Sequence, residues 1–214
     1  MDEDLSIINS NTRNEKIKNF FVNNKNKIIS GIIILIIIIA GVYSYDKYLI
    51  NKKKDISDSF NSIIIDYSEK TKDKTTSSLI EIINKKDPTY SPLSLYFIID
   101  NNLVSDQSKI NSFFDILIKD TSIDSEINNL IVYKKALYNA DNAKESDLLD
   151  ILNPLINSKS IWKSHSLYLM AEYFYSNNQK QKAKEFFNQI MILENSNPDI
   201  RLQAEKRLNR DLSE

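Results

Sequence analysis

Residues Ile28 to Tyr45 read IISGIIILIIIIAGVYSY, eighteen positions without a charge, with Lys25 and Lys27 before them and Asp46 and Lys47 after. As an α-helix this run is about 27 Å long at about 1.5 Å per residue, close to the thickness of a bilayer core. Each apolar residue near the centre of a spanning helix contributes roughly −0.5 kcal/mol to insertion. The eight residues from Ile32 to Ile39 therefore supply about −4 kcal/mol, and no central charge opposes them. A buried strand of this length would be unusual, since strands rarely exceed about ten residues. Ala40 and Gly41 offer a weak signal-peptide cut site, but the tail before the run is long and carries Asp2, Glu3, Asp4 and Glu15. The reading is an uncleaved transmembrane helix over residues 28–48, with a cleaved signal and a soluble core segment as its alternatives.

The remaining chain bounds the function classes. Its 214 residues hold one span and one domain large enough for a core of its own. Lys and Arg number 28 against 29 Asp and Glu, for a net charge of −1, and no basic face stands out. Nucleic acid, whose binding rests on clustered cations, is thus not an expected partner. Cysteine is absent, which removes disulfides and thiolate metal sites. The only two glycines, Gly31 and Gly41, lie in the apolar run. A domain without glycine speaks against phosphate-cradling loops and tight β-hairpins, and for helices.

Residues 1–27 form a polar tail in which Ile17, Phe20 and Phe21 lie at helical spacing among Arg13, Lys16, Lys18, Lys25 and Lys27. Two readings stay open: a helix resting on anionic lipid, or a disordered tail that supplies the positive flank. Because Lys47, Lys52, Lys53 and Lys54 follow the span, the charge rule leans only slightly to a cytoplasmic N-terminus. Tyr43, Tyr45 and Tyr48 would anchor the far interface.

From residue 49 to 214 helical patterns succeed one another. Ile56, Phe60, Ile63, Ile64 and Tyr67 make one apolar stripe. A polar interruption over Lys70–Thr76 precedes a short helix through Leu79, Ile80, Ile82 and Ile83. Ser91 and Pro92 read as N-cap and first helical residue for Leu95, Tyr96, Ile98, Ile99 and Leu103. Asp106 caps a helix with Ile110, Phe113, Phe114, Leu117 and Ile118. Asp124 opens one with Ile127, Leu130, Ile131, Leu137 and Tyr138, and Ser146 one with Leu148, Leu149, Leu152 and Leu155. The expected fold is all-α, paired antiparallel helices throughout.

Between Ser164 and Asn197 the pattern sharpens into that of a tetratricopeptide repeat, a unit of about 34 residues in which bulky and small side chains alternate so that two helices can approach. Leu167, Met170, Ala171 and Phe174 take the packing positions of its first helix; Ala183, Phe187 and Ile190 take those of its second. Ser176-Asn177-Asn178-Gln179 makes the turn. Asn197 and Pro198 start a closing helix with Ile200, Leu202 and Leu208, a cap for a helical-hairpin solenoid. Residues 91–119 and 124–157 have similar lengths with degenerate matches.

No catalytic or metal constellation emerges. His165 is the only histidine, and with Trp162 three residues earlier it reads as a packed or half-exposed helix residue. Asp147 with Asp150 and Asp115 with Asp120 read as caps and solvated surface. Trp162, Tyr168, Tyr173 and Tyr175 are the candidate lining of a protein-binding groove, against the alternative of core and scattered surface.

The layout resembles the YfgM-like ancillary subunits of the Sec translocon, in their alphaproteobacterial form. The likeness is carried by Tyr90 and Leu93 entering one helix, Ala136 to Asp141 leaving another, Trp162-Lys163 opening the repeat, and Ala183 with Phe187 in the distal helix. His165 stands shifted from that family's histidine, and Ile, Lys and Asn replace the glycine and alanine of its members. The resemblance implies a single-pass protein of the bacterial inner membrane, with a cytoplasmic N-terminus and a periplasmic tetratricopeptide-like domain. It implies the translocon, translocating polypeptides and periplasmic chaperones as partners, and no cofactor. A scaffold for a division or outer-membrane assembly complex, and a cytosol-facing receptor for targeting peptides, are the rival readings on the same fold.

Overall fold

The computed structural model describes the backbone of residues 2–212 and the side chains of residues 13–212. Among the described residues the secondary structure is helical, with ten α-helices and no strand. They are α1 (Asp2–Asn23), α2 (Lys25–Ile65), α3 (Lys72–Asn84), α4 (Tyr90–Asp100), α5 (Gln107–Asp115), α6 (Ser125–Asn139), α7 (Glu145–Ile156), α8 (Lys163–Ser176), α9 (Lys180–Ile192) and α10 (Pro198–Asp211). A 3₁₀ turn at Glu69–Thr71 leads into α3, and α5 runs on into a π-helical turn at Ile116–Asp120. The chain divides into two compact units, one up to Asp55 and one from Ile56 onward.

In the first unit the tail is helical. Asn24 barely interrupts it: its N–H donates to the Phe20 carbonyl at 3.0 Å, and its own carbonyl accepts from the Ile28 N–H at 2.9 Å. The apolar run lies in α2, where an 18-residue window has a mean hydropathy of 2.5 and no buried residue. Ile32 to Ile39 are 51–64% exposed. A helix that is apolar on every side and packs against nothing matches a hydrocarbon solvent rather than water. One helix is thus long and apolar enough to cross a membrane.

The second unit begins at Ile56, its first buried side chain. It builds two cores. Leu79, Ile83, Leu95, Ile98, Ile110, Phe113, Phe114, Leu117 and Ile131 make the first, from α3, α4, α5, the π turn and α6. Leu148, Leu152, Leu155, Phe174, Phe187 and Ile190 are the bulk of the second, with Ala136 of α6 and Ala204 of α10. Helix α6 serves both.

Three helix ends adopt the left-handed conformation, at Lys86 (φ 55°), Asn102 (φ 49°) and Asn178 (φ 58°). Glycine is the usual residue there, asparagine the next best. At α4 the Leu103 N–H reaches back to the Ile98 carbonyl at 2.9 Å and the Asn102 N–H to Ile99 at 3.1 Å. At α8 the Gln179 N–H reaches Phe174 at 2.8 Å and the Asn178 N–H reaches Tyr175 at 3.1 Å. These pairs satisfy carbonyls that a helix end leaves orphaned.

The end of α3 departs from this scheme. Ser91, fully buried, slots its hydroxyl between the two partners. It accepts from the Asp87 N–H at 2.9 Å and donates to the Ile82 carbonyl at 2.7 Å. Asp87 Oδ1 then accepts from the N–H groups of Thr89 at 2.9 Å and Tyr90 at 2.7 Å, so this carboxylate caps α4. The expected Ser91–Pro92 cap is therefore corrected: Ser91 lies inside the first turn because its hydroxyl is claimed by the preceding helix. Helix α7 likewise starts at Glu145, one residue before the expected Ser146. The polar interruption ends at Thr71, with Lys72–Thr76 already helical. Asp106, Asp124 and Asn197 each accept from two N–H groups of the helix they open.

Apolar residues also separate differently from the sequence stripes. Ile127 and Leu202 are each 49% exposed, and Leu137 faces solvent as well, while Ala136 and Ala204 are buried beside them. Small residues occupy the crowded contacts between helices, and their larger neighbours are turned outward.

Six of the polar bonds between separate segments share one sequence spacing. Tyr90 donates to Ser57 at 2.7 Å, Lys86 to Asp120 at 3.3 Å, Ser160 to Glu126 at 2.7 Å and Gln179 to Glu145 at 3.5 Å. The Asn197 N–H donates to Ser164 at 3.3 Å, and Arg207 Nε to Glu172 at 2.7 Å. All six pairs are 33 to 35 residues apart. Helices α4, α6, α8 and α10 begin at Tyr90, Ser125, Lys163 and Pro198, which are 35, 38 and 35 residues apart.

The two buried serines of α4 give opposite expectations. Ser91→Ala strands an N–H and a carbonyl and costs about 1–3 kcal/mol. Ser94→Ala removes a buried hydroxyl that has no partner, and leaves stability unchanged or raised. Thermal melts of both variants check this; equal losses would show that Ser91 does not bridge α3 and α4.

Candidate protein-binding surface

Helix α8 forms because Leu167, Met170, Ala171 and Phe174 fall on one face, and all four are buried. Helix α9 answers with Ala183, Phe187 and Ile190, buried in the same core. The two helices make the most extensive contact of any pair, and Ala171 and Ala183, both fully enclosed, have no bulk to hold them apart.

The four candidate aromatics project from this hairpin to three separate places. Trp162 stacks on Tyr133 of α6, with centroids 5.7 Å apart and planes at 21°. His165 lies against both rings, 5.0 Å from Trp162 and 5.8 Å from Tyr133. Burial pushes its pKa below the ordinary histidine value, and the Ile161 carbonyl opposes this only in part. Tyr173 points elsewhere, its hydroxyl donating to the Ala143 carbonyl at 3.0 Å. Tyr168 meets the Phe187 ring edge-on at 5.4 Å, and Tyr175 lies 4.8 Å beneath the Arg207 guanidinium. Tyr168 and Tyr175, two turns apart on α8, are thus brought together at Arg207. Trp162 and Tyr173 are not part of that group, so the four do not line one groove.

Arg207 is the hub of the α8–α10 contact. Its Nε and Nη2 donate to the two carboxylate oxygens of Glu172, and Nη1 donates to Asp211 Oδ2 at 2.8 Å. Arg210 reaches Asp211 at 2.7 and 2.8 Å. Hydrogen bonds from Arg210 and then Arg207 hold the Asp211 carboxyl far below the usual carboxylate range. Those from Glu172 and then Asp211 raise the Arg207 guanidinium. Such a paired, planar fork is a fastener rather than a reactive group.

Two clefts flank α6. A polar one of about 590 Å³ is lined by Gln107, Asn111, Lys135, Asn139, Asp147 and Asp150 among others. Its floor is a closed amide network: Asn139 Oδ1 accepts from Gln107 at 3.0 Å and Asn111 at 2.9 Å, and its Nδ2 donates to Asn111 at 2.8 Å and the Lys135 carbonyl at 2.7 Å. Lys135 pairs with Asp115 at 2.9 Å. Burial raises the Asp115 pKa, but hydrogen bonds from Lys135 and Lys119 outweigh it and the net shift is downward. The other cleft, about 450 Å³, is apolar and runs between α4 and α6, with Phe114 of α5 among its lining residues. Tyr96 in its wall is pushed up to about 12 by burial.

Among the described residues no three His, Asp or Glu side chains converge as a metal site. Sequence reasoning missed Tyr133, the Arg207 hub and the α4–α6 groove. The hub had a signal, complementary charges one repeat length apart at Glu172 and Arg207. The groove had none, because Leu137 was read as core.

Phe187→Ala empties the centre of the second core and lowers stability by about 3–5 kcal/mol in denaturant titrations. The folded Asp211 pKa lies below its unfolded value. Its contribution is complete above the ordinary carboxylate range and is lost as pH falls through the folded value. Asp211→Asn therefore melts at a lower temperature at pH 7 and loses less on acidification below about pH 4 than the parent; parallel acid profiles would contradict the assignment. Compared with protein-family models, with curated proteins and with solved structures, the chain shows no match.

Proposed function

We propose that this chain is a membrane-tethered, tetratricopeptide-like protein-binding module, an ancillary factor of the Sec translocon similar to the YfgM-like subunits. In this reading α2 anchors the chain in the bacterial inner membrane with its N-terminus cytoplasmic. The helical domain then works in the periplasm, handing translocating polypeptides to envelope chaperones. The observation that carries the reading is a spacing shared by six of the polar bonds between segments, whose partners are 33 to 35 residues apart. A stack of repeats of about 34 residues puts equivalent positions of neighbouring units side by side, which is where such pairs form. The enclosed Ala171 and Ala183 on α8 and α9 support the same reading. A single span adds local concentration, since a module fixed beside a channel meets each emerging chain without a search through the periplasm. The activity is contact alone and requires no cofactor.

Two measurements test this. External protease digests the helical domain in spheroplasts but not in intact cells, and crosslinked membranes yield the translocon channel or an envelope chaperone with the chain. Protection of the domain in spheroplasts would place it in the cytosol. Exclusive recovery of division or outer-membrane assembly proteins would move the module to another complex.

A further inference from the structure

The apolar groove between α4 and α6 is built from Leu93, Tyr96 and Ile99 on one side and Leu137 and Tyr138 on the other, with Phe114 of α5 also lining it. Its two leucines are left open to solvent, Leu93 by 42% and Leu137 by 52%, in a unit whose core leucines are almost fully enclosed. The half-open rims make it a trough rather than a closed tunnel. Its volume of about 450 Å³ accommodates a few apolar side chains, in the range of ligand-binding clefts.

Lys134 gives the trough a charge preference. Its ammonium sits 4.7 Å from the centre of the Tyr96 ring. Among the described residues no carboxylate lies within ion-pair distance of it, whereas the adjacent Lys135 is held by Asp115 at 2.9 Å. An ammonium resting on a ring face keeps its hydrogen-bond donors for an incoming acceptor. The lining has one such cation and, at the α4 end, one anion, Asp100. A polyanion would need several cations and meets one.

We infer that this groove takes an apolar polypeptide segment carrying a single carboxylate, which pairs with Lys134 while its apolar side chains cover Leu93 and Leu137. The assignment rests on the reading of the domain as a protein-binding module and names the surface it uses. A segment with its apolar residues on one helical face fits an open trough between two helices, with residues three or four apart as anchors. A free fatty acid shares the chemistry of tail and carboxylate, but would leave much of its tail in water here.

The test uses the full chain in lipid nanodiscs and a dye-labelled probe, NBD-Ser-Leu-Ala-Leu-Phe-Ala-Leu-Glu-amide, with a twin ending in Gln. The Glu probe is expected to saturate at micromolar concentration and to bind at least fivefold tighter than its twin. Lys134→Gln makes the two probes equal, Leu137→Ser weakens both about tenfold, and the distant Leu202→Ser changes neither. Equal affinity of the two probes for the parent chain would overturn the inference, as would unaltered binding by Leu137→Ser. The same holds if empty nanodiscs give the same signal, or if a dye-labelled fatty acid displaces the probe. A photo-crosslinker at position 137, 192 or 202 in cells separates this inference from the broader reading. Adducts with other polypeptides from 192 or 202 but none from 137 would sink the groove alone. No adduct from any position would sink both, and adducts from 137 only to a second copy would reassign the groove to self-association.

Discussion

Three helix ends of this domain turn left-handed, and all three do so without glycine, which is absent outside the apolar run. The conformation is costly for any residue with a Cβ, so it must be secured by bonds made at the same spot. At Asn102 and Asn178 two backbone N–H groups supply them, and asparagine tolerates the geometry better than other side chains. At Lys86 the tolerance is lower; its own N–H still reaches the Ile83 carbonyl at 3.1 Å, and the second bond is relayed through a buried hydroxyl from the next helix. The hairpin of α3 and α4 is therefore tied by tertiary chemistry where the others are tied locally. Once the reversals are set, the pairing of helices follows from which faces they bury.

The packing partners chosen at those faces explain which parts of the molecule were legible in its sequence. The apolar run, the helical class, the caps at Asp106, Asp124 and Asn197, and the buried faces of α8 and α9 all rest on local rules: charge, spacing and side-chain chemistry within one turn or two. The failures are places where a distant segment overrides a local preference. Ser91 looks like an N-cap, but Ile82 and Asp87 take its hydroxyl. Leu137 looks like core, but the close contact belongs to Ala136, because small side chains let helices approach. Tyr168 and Tyr175 share a helix face, yet what gathers them is Arg207, more than thirty residues on.

That reach of about 34 residues links the stability of the domain to its shape. Pairs such as Glu126 with Ser160, Glu145 with Gln179 and Glu172 with Arg207 tie together segments 34 or 35 residues apart. Surface ion pairs contribute little each, and their energy alone would not hold the stack. Their effect is on register: a fork such as Arg207 accepts its carboxylates in one alignment, so helices already held by apolar contact are kept from sliding. A trough between two helices, in turn, keeps its width only while their offset is constant.

Helix α6 has a position that no other helix of the domain shares. It places Ile131 in one core and Ala136 in the other. A stack of hairpins with separate cores can fray from either end, each pair opening on its own. Here neither core can be dismantled without withdrawing a residue from the rod common to both. Loosening of one core therefore disturbs a helix that the other core depends on, which couples the two ends of the domain.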